Sequence, residues 1–423
     1  MQGAIDRLYF LKLTSIAKEF FAQGFSFWMI CGYLIAEYIR PQSIISFLDG
    51  WPFAQVFVLL SIVGWLFFEG GKWTKSPANK WLLIYGLLVI ISGSLAYYPA
   101  FSKQYYIYFF QWAIVYFLII NIVNTKERFY IFLLIFCMAS FKLSLSSAQT
   151  WALRGFSFTS WGLMGPPGYF QNSGELSIQM LVFFPVAYYM YYSLKDRVYK
   201  WERYVLILFF VTPVMTILGA SSRGAQLALL VQFLLMFYKY IFKLKPLIYI
   251  VVVIFLVVNF FPEEQLERFS SAGDDKTSQQ RLLYWSHGVD MIRENPLLGV
   301  GFYNFIPYYE DNFSEDMLYG FAELPHNIFI QVGTDLGVIG LAVYLLIIAR
   351  GYFTSRQTIR LSRDDEPFSA NIAKGLWVGI VGFVLAGQFV TVGYYPFLWI
   401  QLSLIVAQRN VVGLDKNDAR NKR

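Results

Sequence analysis

The chain has 423 residues, 57% hydrophobic and 20% aromatic but only 14% charged, against roughly 25% charged in soluble domains. That composition excludes an ordinary soluble enzyme, and the long apolar runs do not alternate in polarity, which excludes a membrane β-barrel. The net charge of +7 reflects where the basic residues fall along a membrane protein and calls for no nucleic-acid partner.

Apolar runs of about 17 to 20 residues recur from Phe20 to Val412, long enough to cross a hydrocarbon core of roughly 30 Å as helices. The expected fold class is an all-α polytopic integral membrane protein of about 12 transmembrane helices, one domain over 1–423. The spans are predicted near 20–38, 52–68, 81–97, 105–123, 129–147, 174–193, 204–219, 224–242, 246–261, 327–349, 375–392 and 394–410. The first run leads into Glu37 and Arg40-Pro41 without a small-residue cleavage site, and reads as a retained span. With the N-terminus in the cytoplasm, 25 of the 34 Lys and Arg fall on inside segments. The same bias sets both termini inside. Cys31 and Cys137 lie within spans and read as buried apolar residues, neither metal ligands nor exposed thiols.

The outer loop 151–173 is rich in Gly, Pro and Ser, with Arg154 its only charge. Asn172 and Glu175 open the next span in an Asn-x-x-Glu pattern that a capping box explains without any further role. Ser221-Ser222-Arg223-Gly224 then joins two apolar runs at the outer face. Free N–H groups at a helix start, two hydroxyls and a guanidinium suit a phosphate oxygen; interfacial snorkelling by Arg223 is the alternative.

Residues 262–326 form an expected extracytoplasmic loop insert. They hold 12 acidic and 4 basic residues, a net of −8 that leaves +15 elsewhere, and both histidines of the chain, His287 and His326. A helix is predicted to start at Thr277, with Gln280 completing a capping box. Leu282, Trp285, Val289 and Ile292 follow at helical spacing, and Asn295-Pro296 stops the run. Arg281 shares the packing side with Tyr284, Trp285, Gly288 and Ile292, so it needs an anionic partner, if only an acid of the loop. His287 points elsewhere and is expected to be solvated. Asp274-Asp275, a carboxylate pair there, also reads as solvated rather than metal-binding. Leu297 to Gly301 is an apolar turn with no phosphate-loop signature. Tyr308-Tyr309-Glu310-Asp311 suits either sugar stacking or interfacial anchoring. His326 stands where the insert re-enters the membrane, as a functional group or a helix-start residue. Behind it Asn327, Gln331 and Asp335 make a polar stripe expected to face the bundle, and Gly333, Gly337 and Gly340 allow close helix contact.

Ser221-Ser222-Arg223-Gly224-Ala225, Arg281 on a loop helix, Asn295-Pro296-Leu297-Leu298-Gly299-Val300-Gly301 and Pro325-His326-Asn327 occur in that order. In this the chain resembles the O-antigen ligase and polymerase superfamily of bacterial membrane glycosyltransferases, most clearly over 219–345. The resemblance implies a GT-C-like fold and transfer of a glycan from undecaprenyl diphosphate to an acceptor hydroxyl at the outer face, with no metal or other cofactor. It implies that Arg223 and Arg281 bind the diphosphate and that His326 lies at the catalytic centre; Arg154, Asn172, Ser222 and Asn327 are expected substrate-binding residues. Expected partners are the lipid-linked donor, a lipid A–core or lipid-linked glycan acceptor, and membrane lipids. The location implied is the bacterial inner membrane, with the active site facing the periplasm. Residue chemistry agrees: two guanidiniums stabilise a leaving diphosphate, and a histidine can accept the hydroxyl proton in an inverting single displacement. A transporter or flippase of lipid-linked sugars is the alternative class, and a protein O-oligosaccharyltransferase the alternative within the family.

Overall fold

The computed structural model describes residues 7–9, 12–159, 161–241, 275–362 and 366–421. The expected span at 246–261 and the first part of the insert, 262–274, lie outside the described residues. All regular elements among the described residues are helices. The longer ones are α1 (Leu13–Phe21), α2 (Phe25–Ile39), α3 (Phe53–Phe67), α4 (Pro77–Ser94), α5 (Ile107–Ile122), α6 (Lys126–Leu153) and α7 (Ser173–Leu194). They continue with α8 (Lys200–Gly219), α9 (Arg223–Ile241), α10 (Lys276–Glu294), α11 (Phe305–Asn312), α12 (Ile328–Ser362), α13 (Pro367–Ala386) and α14 (Pro396–Asn421). Every expected span other than 246–261 overlaps one of these helices. Among the described residues, six apolar segments of helix are long enough to cross a membrane by length and composition: 99–122, which contains α5, and those of α6, α8, α12, α13 and α14.

The bundle packs around α13, which lies against α7, α9, α12 and α14. Between apolar helices in lipid, close backbone approach replaces the hydrophobic drive, and small residues supply it here. A Cβ added at Gly375 would come within 2.8 Å of Val186 Cα, and one at Gly379 within 3.0 Å of the Val182 carbonyl. Pro185 inside α7 has no N–H to give the carbonyl four residues back. That carbonyl, of Leu181, instead accepts from Gln232 Nε2 of α9 at 2.8 Å, and the same amide reaches Val378 O of α13 at 3.0 Å. One buried amide thus repairs the proline defect and ties three helices together.

Two ends of the bundle are distinct. At one, Arg128 makes a bidentate pair with Glu69 at 2.9 and 3.1 Å, and Lys126 meets Glu366 at 3.0 Å. At the other, Tyr97 N donates to Val300 O and Tyr98 N to Asn304 Oδ1, which seats the insert on the tip of α4. The insert has its own small core of Tyr284, Met291, Val300, Phe305 and Tyr309.

A feature without precedent in the sequence reading is a break in α12. Gly337 has φ 66° and ψ −169° inside the helix. In an unbroken helix the Val338 N–H would bond the Thr334 carbonyl. Here Thr334 O accepts from Val300 N and Val338 N donates to Pro296 O, both at 2.8 Å. The Asn295–Gly301 segment therefore replaces one helix bond by two of its own. Gly299 and Gly337 follow from that contact: a Cβ at Gly299 would lie 2.1 Å from Thr334 O, and one at Gly337 2.5 Å from Leu297 C. The expectation of close helix contact through Gly333 and Gly337 holds for Gly333 and is corrected for Gly337. Gly333 faces Ile292 of α10 and Gly337 faces the inserted segment. The polar stripe does face inward as expected, with Gln331 and Asp335 both buried.

Candidate active site

Arg223, Arg281 and His326 are brought to the insert-bearing end by three separate pieces of chain. The first is the turn between α8 and α9. Ser221 takes a left-handed φ of 57°, and Ser222 O accepts from Gln226 N at 2.9 Å, so α9 starts with Arg223 at its N-terminus. Gly224 follows because any side chain there would strike Phe389, 2.3 Å from an added Cβ.

The second piece is α10. Its N-cap is Asp275, whose Oδ1 accepts from Ser278 N at 2.9 Å and whose Oδ2 accepts from Ser278 Oγ at 2.6 Å. The predicted start at Thr277 is therefore corrected, and Asp275 is no solvated loop acid. Its Oδ2 also pairs with Arg223 Nη2 at 3.3 Å. The hydroxyl of Ser278, its backbone N–H and the Arg223 guanidinium together hold the Asp275 carboxyl below the usual range. Arg281 lies in the second turn of the helix, on the face that buries Tyr284, Gly288 and Met291. Leu282 and Val289, expected on the apolar side, are exposed. The Arg281 Nε is buried without a protein acceptor. Burial first, and then the nearby Arg223, push the guanidinium pKa down, while Asp275 and Glu323 oppose that shift. Two guanidiniums share one field, and one carries an unsatisfied donor: the arrangement suits a multivalent anion.

The third piece is the re-entry into α12. His326 has φ 51°, a left-handed conformation that costs a non-glycine residue about 1 kcal/mol or more. Several bonds hold it there. His326 N donates to Thr391 Oγ1 at 2.8 Å, Trp285 Nε1 donates to Pro325 O at 2.8 Å, and Ile328 N donates to Gly387 O at 2.9 Å. Trp285 lies against Phe389, the ring that covers Gly224, so packing runs without interruption from Arg223 to His326.

Glu323 completes the cluster. Its Oε2 lies 3.1 Å from His326 Nε2, and its backbone N–H donates to Tyr284 OH at 2.8 Å. The bond to His326, aided by Arg281, holds the Glu323 carboxyl below its ordinary range. An ionised carboxylate can only accept. Nε2 therefore carries the proton, and Nδ1 is the nitrogen left to accept one in the neutral ring.

The remaining expected residues behave differently. Asn327 Oδ1 accepts from Phe329 N and Ile330 N at 2.8 and 3.2 Å, the bonds of an N-cap. Asn172 likewise closes a capping box with Glu175. Arg154 is exposed at the end of α6, which belongs to the same end of the bundle: Trp151 packs on Gly219, and Gly162 approaches the Ala220 carbonyl. Among the described residues neither Arg154 nor Asn172 hydrogen-bonds to Arg281 or His326. His287 is not solvated, contrary to expectation. Its ring stacks on Phe313 at 4.2 Å and meets Tyr309 OH at 2.9 Å and Asp316 Oδ2 at 3.3 Å.

Glu323, Asp275, Ser278 and Thr391 had no place among the expected site residues. Glu323-x-x-His326 and Asp275-x-x-Ser278 are both visible spacings once the partner is known. Thr391 comes from the loop between α13 and α14 and carries no local signal.

No curated protein matches the chain. Residues 208–345 match the family model described as O-antigen ligase. That stretch contains Arg223, Arg281, the Asn295–Gly301 segment, Glu323 and His326, and over it the chain is similar to the O-antigen ligase family.

Proposed function

We propose that the chain is a twelve-span, GT-C-like glycosyltransferase of the bacterial inner membrane. It transfers a glycan from undecaprenyl diphosphate to an acceptor hydroxyl on the periplasmic side, without a metal and with inversion. The observation that carries the reading is the Arg223–Asp275–Arg281–Glu323–His326 cluster, with the buried, unpartnered Arg281 Nε at its centre. Breaking the sugar–phosphate bond puts negative charge on the departing diphosphate. Arg223 and Arg281 stabilise that charge in place, since their positions are fixed by α9 and α10 before reaction. Nδ1 of His326 takes the acceptor proton, and Glu323 stabilises the resulting imidazolium through Nε2. Arg154, Asn172, Ser222 and Asn327 are proposed to line the donor and acceptor paths around this centre.

The test is release of undecaprenyl diphosphate from a lipid-linked glycan by the purified chain. His326→Ala is expected to abolish transfer while leaving donor binding largely intact, and a chelator is expected to change neither. Full transfer by His326→Ala sinks the reading. Arg281→Gln is expected to weaken both donor binding and turnover.

The break at Gly337 favours a second reading, since transporters build substrate sites from discontinuous helices. Yet the break is filled by Pro296 to Val300. Bond cleavage separates the two: a flippase moves the lipid-linked sugar intact. The acceptor then distinguishes a ligase from a polymerase or a protein O-oligosaccharyltransferase. A deletion strain that accumulates long chains on the lipid carrier marks a ligase acting on lipid A–core.

A further inference from the structure

At the end of the bundle opposite to this cluster lies a cavity of about 350 Å³, between the start of α4 and the later parts of α12 and α14. Lys75, Arg350 and Arg409 line it from three different segments, with Ser76, Gln357 and Asn410 between them and, among the described residues, no acidic side chain. Arg350 is 22 residues beyond the start of α12, about 33 Å along the helix. A bias of lysine and arginine toward the cytoplasmic face explains why these residues are basic. It does not explain why three cations converge on one concave space, where their repulsion is unfavourable unless an anion enters.

The rest of the lining agrees with an anion. Asn410 Nδ2 is a buried donor with no acceptor. Ser76 caps α4, so the positive end of that helix opens on the cavity. Arg409 is oriented by its Nε donating to Gln357 Oε1 at 3.3 Å. Exposed Phe353 forms an apolar wall beside the cations.

We propose that this cavity binds a phosphate group, and the apolar wall points to the headgroup of an anionic phospholipid with its chains along α12. Basic pockets between spans recognise such headgroups by charge and shape together.

The test uses full-length protein in nanodiscs of phosphatidylcholine, with and without phosphatidylglycerol. Native mass spectrometry then counts lipid retained after detergent release. Phosphatidylglycerol is expected to remain bound and to raise the apparent melting temperature, and phosphatidylcholine to do neither. The combined change Lys75→Gln, Arg350→Gln and Arg409→Gln is expected to weaken retention about a hundredfold. Lys72→Gln with Lys80→Gln, at the same end but outside the cavity, is expected to leave it unchanged. Should the triple change fail to fold, exposed Lys75→Glu alone is expected to give a loss of about tenfold. Inorganic phosphate added to phosphatidylcholine nanodiscs identifies the source: the same melting shift from phosphate alone sustains the anion site and makes its ligand soluble. Equal phosphatidylglycerol retention by wild type and the folded cavity variants, with no shift by phosphate, overturns the proposal.

Discussion

Replacing Glu323 by glutamine removes a charge from the proposed catalytic histidine while nearly keeping its shape. The carboxylate sits 3.1 Å from His326 Nε2, and its side chain is 55% exposed. With an effective dielectric of about 40, between bulk water and a typical protein surface, that distance gives about 2.7 kcal/mol of attraction to an imidazolium. Solvent screening of a half-exposed pair leaves about 1 kcal/mol. In the proposed mechanism the imidazolium forms as His326 takes the acceptor proton, so the loss falls on the transition state. Glu323→Gln is expected to lower kcat about fivefold with KM little changed. Glu323→Ala also frees the ring to turn, and is expected to lower kcat about a hundredfold. Initial rates of glycan transfer at saturating lipid-linked donor measure both. Wild-type kcat in Glu323→Ala refutes the reasoning, as does a loss confined to KM.

Gly337→Ala places a Cβ 2.5 Å from a backbone carbon of Leu297 at a φ of 66°, with about 1–3 kcal/mol of strain and a similar cost of crowding. The apparent melting temperature should fall sharply; an unchanged value would show that the helix does not need its break. Acid should loosen the site, because the folded-state pKa values of Asp275 and Glu323 lie below their ordinary 3.8 and 4.5. Their contribution is present above those ordinary values and is lost as pH falls through the lower folded ones. Melting of wild type should therefore drop more steeply on acidification below about pH 4.5 than melting of Asp275→Asn/Glu323→Gln, and parallel curves contradict this. His287→Ala removes a stacked ring and two polar contacts from the insert, about 1–3 kcal/mol. Transfer by the folded fraction should persist, and a dead but fully folded variant would give His287 a role in the chemistry.

The long apolar helices among the described residues were legible because hydropathy over about twenty residues marks such segments directly, and the face of α10 that carries Arg281 was legible from helical period. The errors share one cause: a period or a local motif describes one helix at a time. Thr277-x-x-Gln280 and Asp275-x-x-Ser278 are overlapping caps, and only the fold decides between them. Gln280 is drawn away to accept from Leu318 N at 2.7 Å, which leaves the cap to Asp275. His287 was assigned to water because the wheel shows only the side of α10 that meets the bundle. The opposite side is covered by Tyr309, Phe313 and Asp316, 22 to 29 positions later in the chain. The break in α12 had no signal of its own, since no proline lies between Ile328 and Ser362.

That break also explains why an apolar, chemically inert segment belongs to the same stretch as the charged cluster. The half-helix from Ile328 to Leu336 is fixed at both ends by the insert. At its start, Trp285 and Tyr284 of α10 hold Pro325 and Glu323. At its finish, Pro296 and Val300, just beyond the end of α10, occupy the break. α10 and this half-helix therefore form a closed frame, with Arg281 on one side and His326 on the other. Their separation cannot change without breaking a hydrogen bond at one corner. A diphosphate clamp and a proton acceptor must keep a fixed spacing across a single displacement. A short half-helix braced at both ends provides it, where a long continuous span could slide or tilt in the bilayer. In the proposed mechanism Gly299 would thus act on catalysis at a distance, by letting the brace close.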